Sequence, residues 1–331
     1  MQLSFIIPLF NTQAYITKCI SSLYEQSLDE KEFEIIVVND GSTDQSAALI
    51  EQHFGHKPNL HLFTQTNQGE SVARNLGLKK ASGDYILFVD ADDFLFPSTL
   101  SPLLKRANDL QLDMLRFEFA YVDTSDCYTC DALLIKERSL CAEHILKGTQ
   151  LYARAFYGTL NCWTILYSRQ FLKQGDLQFH PQIQSGEDAE FVFRTLLHAQ
   201  RTMYLPEIVY AYRKTVFSTL PNPKEKDIWD TITRISLLTP YSHNFQYNRE
   251  FRAMCQRDIS IFLFVLFNAL NDLHASKSFR KKAYKQLRKA QIKPISLLMA
   301  TQKRQLLFIY GLFGPRVARY ITKIYSQRKK I

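Results

Sequence analysis

Apolar and polar positions alternate in blocks through the first hundred residues. Leu3–Pro8 is a short apolar run closed by proline. Within Ala14–Leu28, the residues Ile16, Ile20, Leu23 and Tyr24 recur along one face at helical spacing. Phe33–Asn39 is rich in β-branched residues, the pattern of a strand buried on both faces. Asp44–Phe54 then reads as helix, Leu60–Gln65 as strand, Gly69–Ala81 as helix and Asp84–Val89 as strand. Strands alternating with helices of this length predict right-handed βαβ units and a parallel sheet with both faces covered. Past Pro97 the alternation weakens. Ser98–Leu110 predicts a helix, Met114–Val122 a strand, Asp123–Leu140 an irregular insertion, Glu187–Ala199 a helix and Thr202–Arg213 an extended segment. From Ile228 onward the pattern is helical and increasingly basic. A boundary is expected in the polar stretch Ser218–Lys226, which holds Pro221 and Pro223.

Ligands of open α/β sheets bind beyond the carboxyl ends of the strands. The polar clusters fall at those ends: Asn39-Asp40-Gly41-Ser42 after the second strand, Thr66-Asn67-Gln68-Gly69 after the third, Asp90-Ala91-Asp92-Asp93 after the fourth. Asp90 and Asp92, one residue apart, project to the same side of the chain. Hard oxygens so close together suit Mg²⁺ or Mn²⁺, ions that also take phosphate oxygens. The plainer reading of the pair is a solvated turn before the next helix. Asp40 could accept hydrogen bonds from a base or ribose, while Ser42 or Asp44 caps the following helix. Gly69 permits close backbone approach at a helix start that favours anions, and Arg74, about one and a half turns in, could reach a base or phosphate.

Four stretches together resemble glycosyltransferase family 2, the GT-A fold. They are Phe5-Ile6-Ile7-Pro8-Leu9-Phe10-Asn11, Val37-Val38-Asn39-Asp40-Gly41-Ser42-Thr43-Asp44, Asn67-Gln68-Gly69 with Ala73-Arg74-Asn75, and Phe88-Val89-Asp90-Ala91-Asp92-Asp93. They match in order and spacing, and the resemblance extends over about residues 1–218. It implies a catalytic domain with a mostly parallel sheet, its nucleotide-sugar half at about 1–97 and its acceptor half at about 98–218. It implies that Asp40 contacts the uracil or ribose of a UDP-sugar, that Asp90 holds ribose, and that Asp92 coordinates Mn²⁺ or Mg²⁺ on the diphosphate. Arg74, Pro8, Phe10, Asn67, Gly69 and Ala91 join that nucleotide-sugar site. Ser185-Gly186-Glu187-Asp188 is similar to the family's acidic pair, which makes Asp188 the expected general base with Glu187 beside it. Tyr212-Arg213 with Ser218 resembles an element that closes over the diphosphate, where Arg213 would offset charge. Trp163-Thr164-Ile165 departs from the Trp-Asn-Lys that the family often carries, so acceptor contacts there differ. The implied reaction is an inverting transfer onto a saccharide or lipid-linked saccharide, as in the synthesis of cell-surface polysaccharide or glycolipid.

Charge changes the picture at the C-terminus. The net charge is +9, yet Leu273–Ile331 holds 16 Lys or Arg and no Asp or Glu, leaving 25 basic against 32 acidic residues upstream. The 227–331 region is therefore expected to be helical, basic and drawn to an anionic partner. Val317, Tyr320, Ile321, Ile324 and Tyr325 recur at helical spacing, flanked by Arg316, Arg319 and Lys323, the composition of an interfacial helix. An anionic membrane surface meeting 303–331 is one reading, and a terminal helix packed on its own domain is the other. The apolar runs Ile259–Phe267 and Leu306–Phe313 are short of the roughly 20 residues a membrane span needs. With no leader-like start, the expectation is a cytoplasmic protein, peripheral on the inner membrane face, with reduced cysteines. Cys127, Cys130, Cys141 and His144 have spacing compatible with structural zinc, which the family does not generally carry. Two rival functions remain: a nucleic-acid binder acting through the basic tail, the less favoured, and a catalytically silent sugar-nucleotide binder. A nucleotidyltransferase is disfavoured because Phe10-Asn11-Thr12-Gln13 lacks a glycine-rich phosphate cradle.

Overall fold

A computed structural model describes residues 1–123, 128–129, 142–156, 160–183, 186–213, 225–272 and 276–289. The chain divides into two compact units, Met1–Leu220 and Pro221–Ile331.

In the first unit the alternating blocks become β1 (Leu3–Leu9), α1 (Ile16–Tyr24), β2 (Phe33–Asn39), α2 (Ser46–Phe54), β3 (Leu60–Thr64), α3 (Glu70–Lys80) and β4 (Tyr85–Phe88). The four strands pair in parallel in the order β3-β2-β1-β4. Every residue of β1, β2 and β4 is buried, as expected of strands covered on both faces. Because these strands run the same way, their carboxyl ends share one edge.

The remainder of this unit comprises β5 (Phe94–Leu95), α4 (Leu100–Asp109), β6 (Met114–Val122), β7 (Tyr128–Thr129), α5 (Gly148–Ala155), β8 (Ile165–Ser168), α6 (Arg169–Gln174), α7 (Glu187–His198) and β9 (Thr202–Arg213). Strand β8 joins the halves, antiparallel to both β4 and β6. Strand β9 then runs parallel to β6, and β5 closes the order antiparallel to β9. The β6–β9 register slips between Arg116 and Glu118. Opposite that slip lies Pro206, which has no N–H to give the ladder. The core between halves is aromatic: the Phe88 ring meets Tyr167, Phe179 and Phe191 at 5.8, 5.2 and 5.8 Å.

The second unit contains α8 (Glu225–Ser242), α9 (Arg249–Asp272) and α10 (Lys277–Lys289). Helix α8 buries Ile228, Ile232, Ile235 and Leu238, one helical stripe, and packs on α9 and α10. The apolar run 259–267 lies within α9, where Phe262, Leu263 and Leu266 are buried. Among the described residues no helix is long and apolar enough to cross a membrane.

Candidate active site

The loops at the shared strand edge are stitched to each other. After β1, the Asn11 N–H donates to Ser42 Oγ at 3.1 Å, and Asn11 Oδ1 accepts from the Thr43 N–H at 2.8 Å. After β2, the chain turns at Gly41, whose φ is +77° and whose Cβ, were there one, would stand 3.0 Å from the Asn67 nitrogen. Glycine is thus required both for the turn and for the approach of the loop after β3. Asp40, buried at that turn, accepts from Gln65 Nε2 and the Gln68 N–H through Oδ1 and from the Gly69 N–H through Oδ2, each at 2.8 Å. Both oxygens of Asp40, the carboxylate expected at the base or ribose, thus hold the β3–α3 loop. Pro8 and Ala91 are buried, whereas Asn67 and Gly69 are exposed and Phe10 is 48% exposed.

Arg74, expected at the nucleotide, lies deep in the protein. It is 2% exposed and turns its guanidinium to protein carboxylates rather than outward. Nη1 donates to Asp188 Oδ1 at 2.9 Å; Nη2 donates to Asp90 Oδ1 at 2.9 Å and Glu70 Oε1 at 2.6 Å. Its Nε is buried without a hydrogen-bond partner. Burial opposes the charge of Arg74, but Asp188, Glu70 and Asp90 hold it firmly protonated.

The turn after β4 concentrates negative charge. Burial pushes the Asp90 carboxyl well above its usual range, Arg74 opposing while Glu70, Asp93 and Asp188 add to the shift. Asp92 is raised by burial, against its own backbone N–H and the Arg213 charge. Asp93, which sequence reasoning did not select, is 2% exposed and is pushed up to about 8 by burial and the charge of Asp92. Its Oδ1 accepts from the Arg213 N–H at 2.7 Å and its Oδ2 from the Tyr210 hydroxyl at 2.9 Å. The same hydroxyl accepts from the Asp90 N–H at 3.0 Å. Tyr210 therefore ties β9 to both ends of the acidic turn. Arg213 Nε donates to the Asp92 carbonyl at 3.0 Å, and its guanidinium lies 5.1 and 5.4 Å from the rings of Tyr15 and Phe94.

The acidic pair opens α7, after Gly186 in the left-handed region at φ 78°. Asp188 is joined to the β4 turn through Arg74, and its Oδ2 accepts from the Cys162 N–H at 3.3 Å. Glu187 is half-buried, its carboxyl raised by burial and by Asp188. Trp163, next to Cys162, stacks on Tyr210 and Tyr212 at 4.3 and 5.3 Å. The Tyr212 hydroxyl is pushed up to about 12 by burial and by Asp93, Asp90 and Asp92. Two buried arginines thus link these acidic residues: Arg74 bonds Asp90 and Asp188, and Arg213 bonds Asp93 through its backbone N–H and the Asp92 carbonyl through Nε.

That donor set fits a divalent cation, since crowded, partly desolvated carboxylates are what a hard cation relieves. Among the described residues no three His, Cys, Asp or Glu side chains converge to hold a metal alone. An ion at Asp92 would take its other ligands from a bound diphosphate or water. Of the zinc-spaced residues, Cys127, Cys130 and Cys141 lie outside the described residues, as do Ser185, Ser218 and the tail 303–331. His144 Nδ1 contacts the Ala142 carbonyl at 2.8 Å. Cys19, Cys162 and Cys255 are free and buried.

Residues 4–126 match the family model described as glycosyl transferase family 2. The chain is 28% identical over 287 residues to an uncharacterized glycosyltransferase, EpsJ, of Bacillus subtilis (strain 168), covering 84% of this chain and 81% of that one. It is 32% identical over 214 residues to the poly(ribitol-phosphate) beta-N-acetylglucosaminyltransferase TarS of Staphylococcus aureus (strain Mu50 / ATCC 700699), covering 64% of this chain but 35% of TarS. The crystal structure of TarS 1–349 in complex with UDP-GlcNAc superposes with a TM-score of 0.67 at 23% identity, covering 99% of this chain and 92% of that one. A mannosyltransferase of Pyrobaculum calidifontis, solved with GDP-Man and Mn²⁺, superposes with a TM-score of 0.57 at 16% identity, covering 94% and 87%.

Proposed function

The chain belongs, through residues 4–126, to glycosyltransferase family 2 in the GT-A fold, and from that premise we propose that it moves a sugar from a UDP-sugar to a saccharide or lipid-linked saccharide, with inversion. The observation that carries this reading is the meeting of the β4 acidic turn with Asp188 at the carboxyl edge of the parallel sheet, through Arg74. TarS, similar in sequence and fold, has been solved with UDP-GlcNAc, which favours a UDP-sugar as donor. TarS is named for transfer to poly(ribitol-phosphate), which favours a polymeric, hydroxyl-bearing acceptor.

In this reading Asp188 withdraws the proton from the acceptor hydroxyl as that oxygen attacks the anomeric carbon. The bond from that carbon to the diphosphate oxygen breaks, its electron pair leaves with UDP, and the proton remains on Asp188. A single displacement inverts the anomeric centre. Asp92 would hold Mn²⁺ or Mg²⁺, which when bound offsets charge on the diphosphate. Arg213, beside Asp92, adds electrostatic stabilisation to the same group. Asp90 meets the ribose, and the exposed Phe10 offers a ring to the base.

Isothermal titration with UDP, with and without Mn²⁺, tests the donor site. The wild type should bind UDP with metal present, and Asp92→Ala should weaken that binding by about tenfold or more, as loss of a charged ligand costs at least ~1.4 kcal/mol. Metal-independent binding, undisturbed in the variant, would remove Asp92 from the metal. Failure to bind UDP under any metal condition would remove the UDP-sugar.

A further inference from the structure

Arg74 sits where donor and acceptor halves meet. Its own helix, α3, belongs to the parallel half; Asp90 lies in the turn after β4; Asp188 is in the first turn of α7. The guanidinium bonds to Asp90 and Asp188 through different nitrogens, each at 2.9 Å, and to Glu70 at 2.6 Å. The Phe179 ring lies 5.2 Å from its carbon. Asp188 is gripped at both oxygens, by Arg74 on one and by the Cys162 N–H on the other. At 2% exposure Arg74 is withdrawn from substrate.

We propose that Arg74 is a positioning residue for sugar transfer: it fixes the separation and aim of Asp188 relative to Asp90, and so aligns the base with the bound donor. The inference rests on the reading of Asp188 as general base. A planar guanidinium presents divergent donors in a fixed frame, which suits it to span two carboxylates on different elements. A lysine ammonium keeps the charge but not the frame. Small misplacement of a reacting group is costly to rate and nearly neutral to binding. Because lysine can keep the charge beside Asp90, Arg74→Lys should touch turnover far more than nucleotide affinity.

The test is a double-mutant cycle on the full chain with Arg74→Lys, Asp188→Asn and the pair together. Initial rates of UDP release are read with Mn²⁺, using whichever of UDP-GlcNAc, UDP-glucose and UDP-galactose the wild type consumes. UDP affinity is measured by titration alongside. Asp188→Asn should lose at least about 100-fold in rate, and Arg74→Lys about 100-fold, as for a base misplaced by about 1 Å. The double variant should be no slower than Asp188→Asn alone, because aiming an absent base adds nothing. UDP affinity should stay within about threefold in Arg74→Lys, the split expected when only turnover is touched.

Multiplicative losses in the double variant, or a tenfold loss of UDP affinity with rate intact, would overturn the proposal. Full activity in Asp188→Asn would instead sink the base assignment beneath it. Should the wild type consume none of the three donors, a crystal structure of Arg74→Lys decides: a displaced Asp188 carboxylate supports the proposal and an unmoved one overturns it. If Arg74→Lys does not fold, Phe179→Leu, which removes the ring against the guanidinium, should slow release while sparing UDP affinity; an unchanged rate overturns the proposal.

Discussion

One hydroxyl bonds two groups of the acidic turn to the sheet. Tyr210 Oη accepts from the Asp90 N–H and donates to Asp93 Oδ2, so one atom settles two buried polar groups at once. Tyr210→Phe removes only that atom and keeps the ring stacked on Trp163 at 4.3 Å. The loss should be about 1–3 kcal/mol, the cost of stranding buried hydrogen-bonding groups, read as a lower urea midpoint at unchanged slope. An unaltered midpoint would mean that water takes the place of the hydroxyl. Nothing in the sequence around Tyr210 announces this role. The signal available was alternation: Tyr210 and Tyr212 share a face of an extended segment that ends in Arg213, already suspected of nearness to the diphosphate. Asp93 was visible in the Asp90-Ala91-Asp92-Asp93 stretch. Its partners come from residues 117 and 120 positions away, and only tertiary pairing reveals them. Arg74 illustrates the same limit. Its spacing from Gly69 suggested an outward fork, whereas burial and three carboxylates turn it inward.

At the level of elements, one buried carboxylate fastens the start of the sheet. Glu34 on β2 accepts through Oε1 from Ser4 on β1 at 2.6 Å, from the Ser82 N–H and hydroxyl at 2.7 and 2.8 Å, and from the Gly83 N–H at 3.2 Å. Burial pushes its carboxyl up, but those hydrogen bonds prevail and bring it below its ordinary value of 4.5. A carboxyl lowered in the folded state adds stability above its unfolded pKa and loses it as pH falls through the folded one. Glu34→Gln should therefore cost about 1–3 kcal/mol at pH 7, the value of hydrogen bonds to a charged group. The cost should shrink steadily as the pH drops below the unfolded value near 4.5. Urea unfolding of both proteins at pH 7 and below pH 4 measures it, and a constant difference would contradict the assignment. Glu34 itself reads in sequence as an interruption in the apolar Phe33–Asn39 run, yet the strand accommodates it because Ser4, Ser82 and Gly83 donate to one of its oxygens. The strands β1, β2, β6 and β9 were legible because their patterns are local and long. Short β5, β8, α5 and α6 were not: a four-residue strand such as Ile165–Ser168 is specified by its neighbours β4 and β6, not by its own period.

For the molecule as a whole, the uneven charge asks for a physical consequence. Residues 303–331, outside the described structure, carry eight Lys or Arg without an acidic residue. Near an anionic bilayer each such side chain contributes about 1 kcal/mol, falling off within a Debye length. A lipid-linked acceptor would make that attraction useful, since it keeps the enzyme where its substrate lies. The full chain should then co-sediment with vesicles rich in phosphatidylglycerol, remain free of purely phosphatidylcholine vesicles, and detach as salt is raised toward 0.5 M, where the Debye length has contracted to roughly 4 Å. A chain ending at residue 302 should lose vesicle binding while retaining metal-dependent UDP binding, because all the residues assigned to that site precede position 214. Vesicle binding that survives both salt and truncation would move the attachment elsewhere in the chain. Absence of binding by the full chain would leave the tail as a terminal helix with solvated lysines, and would favour a freely diffusing saccharide over a lipid-linked one as acceptor.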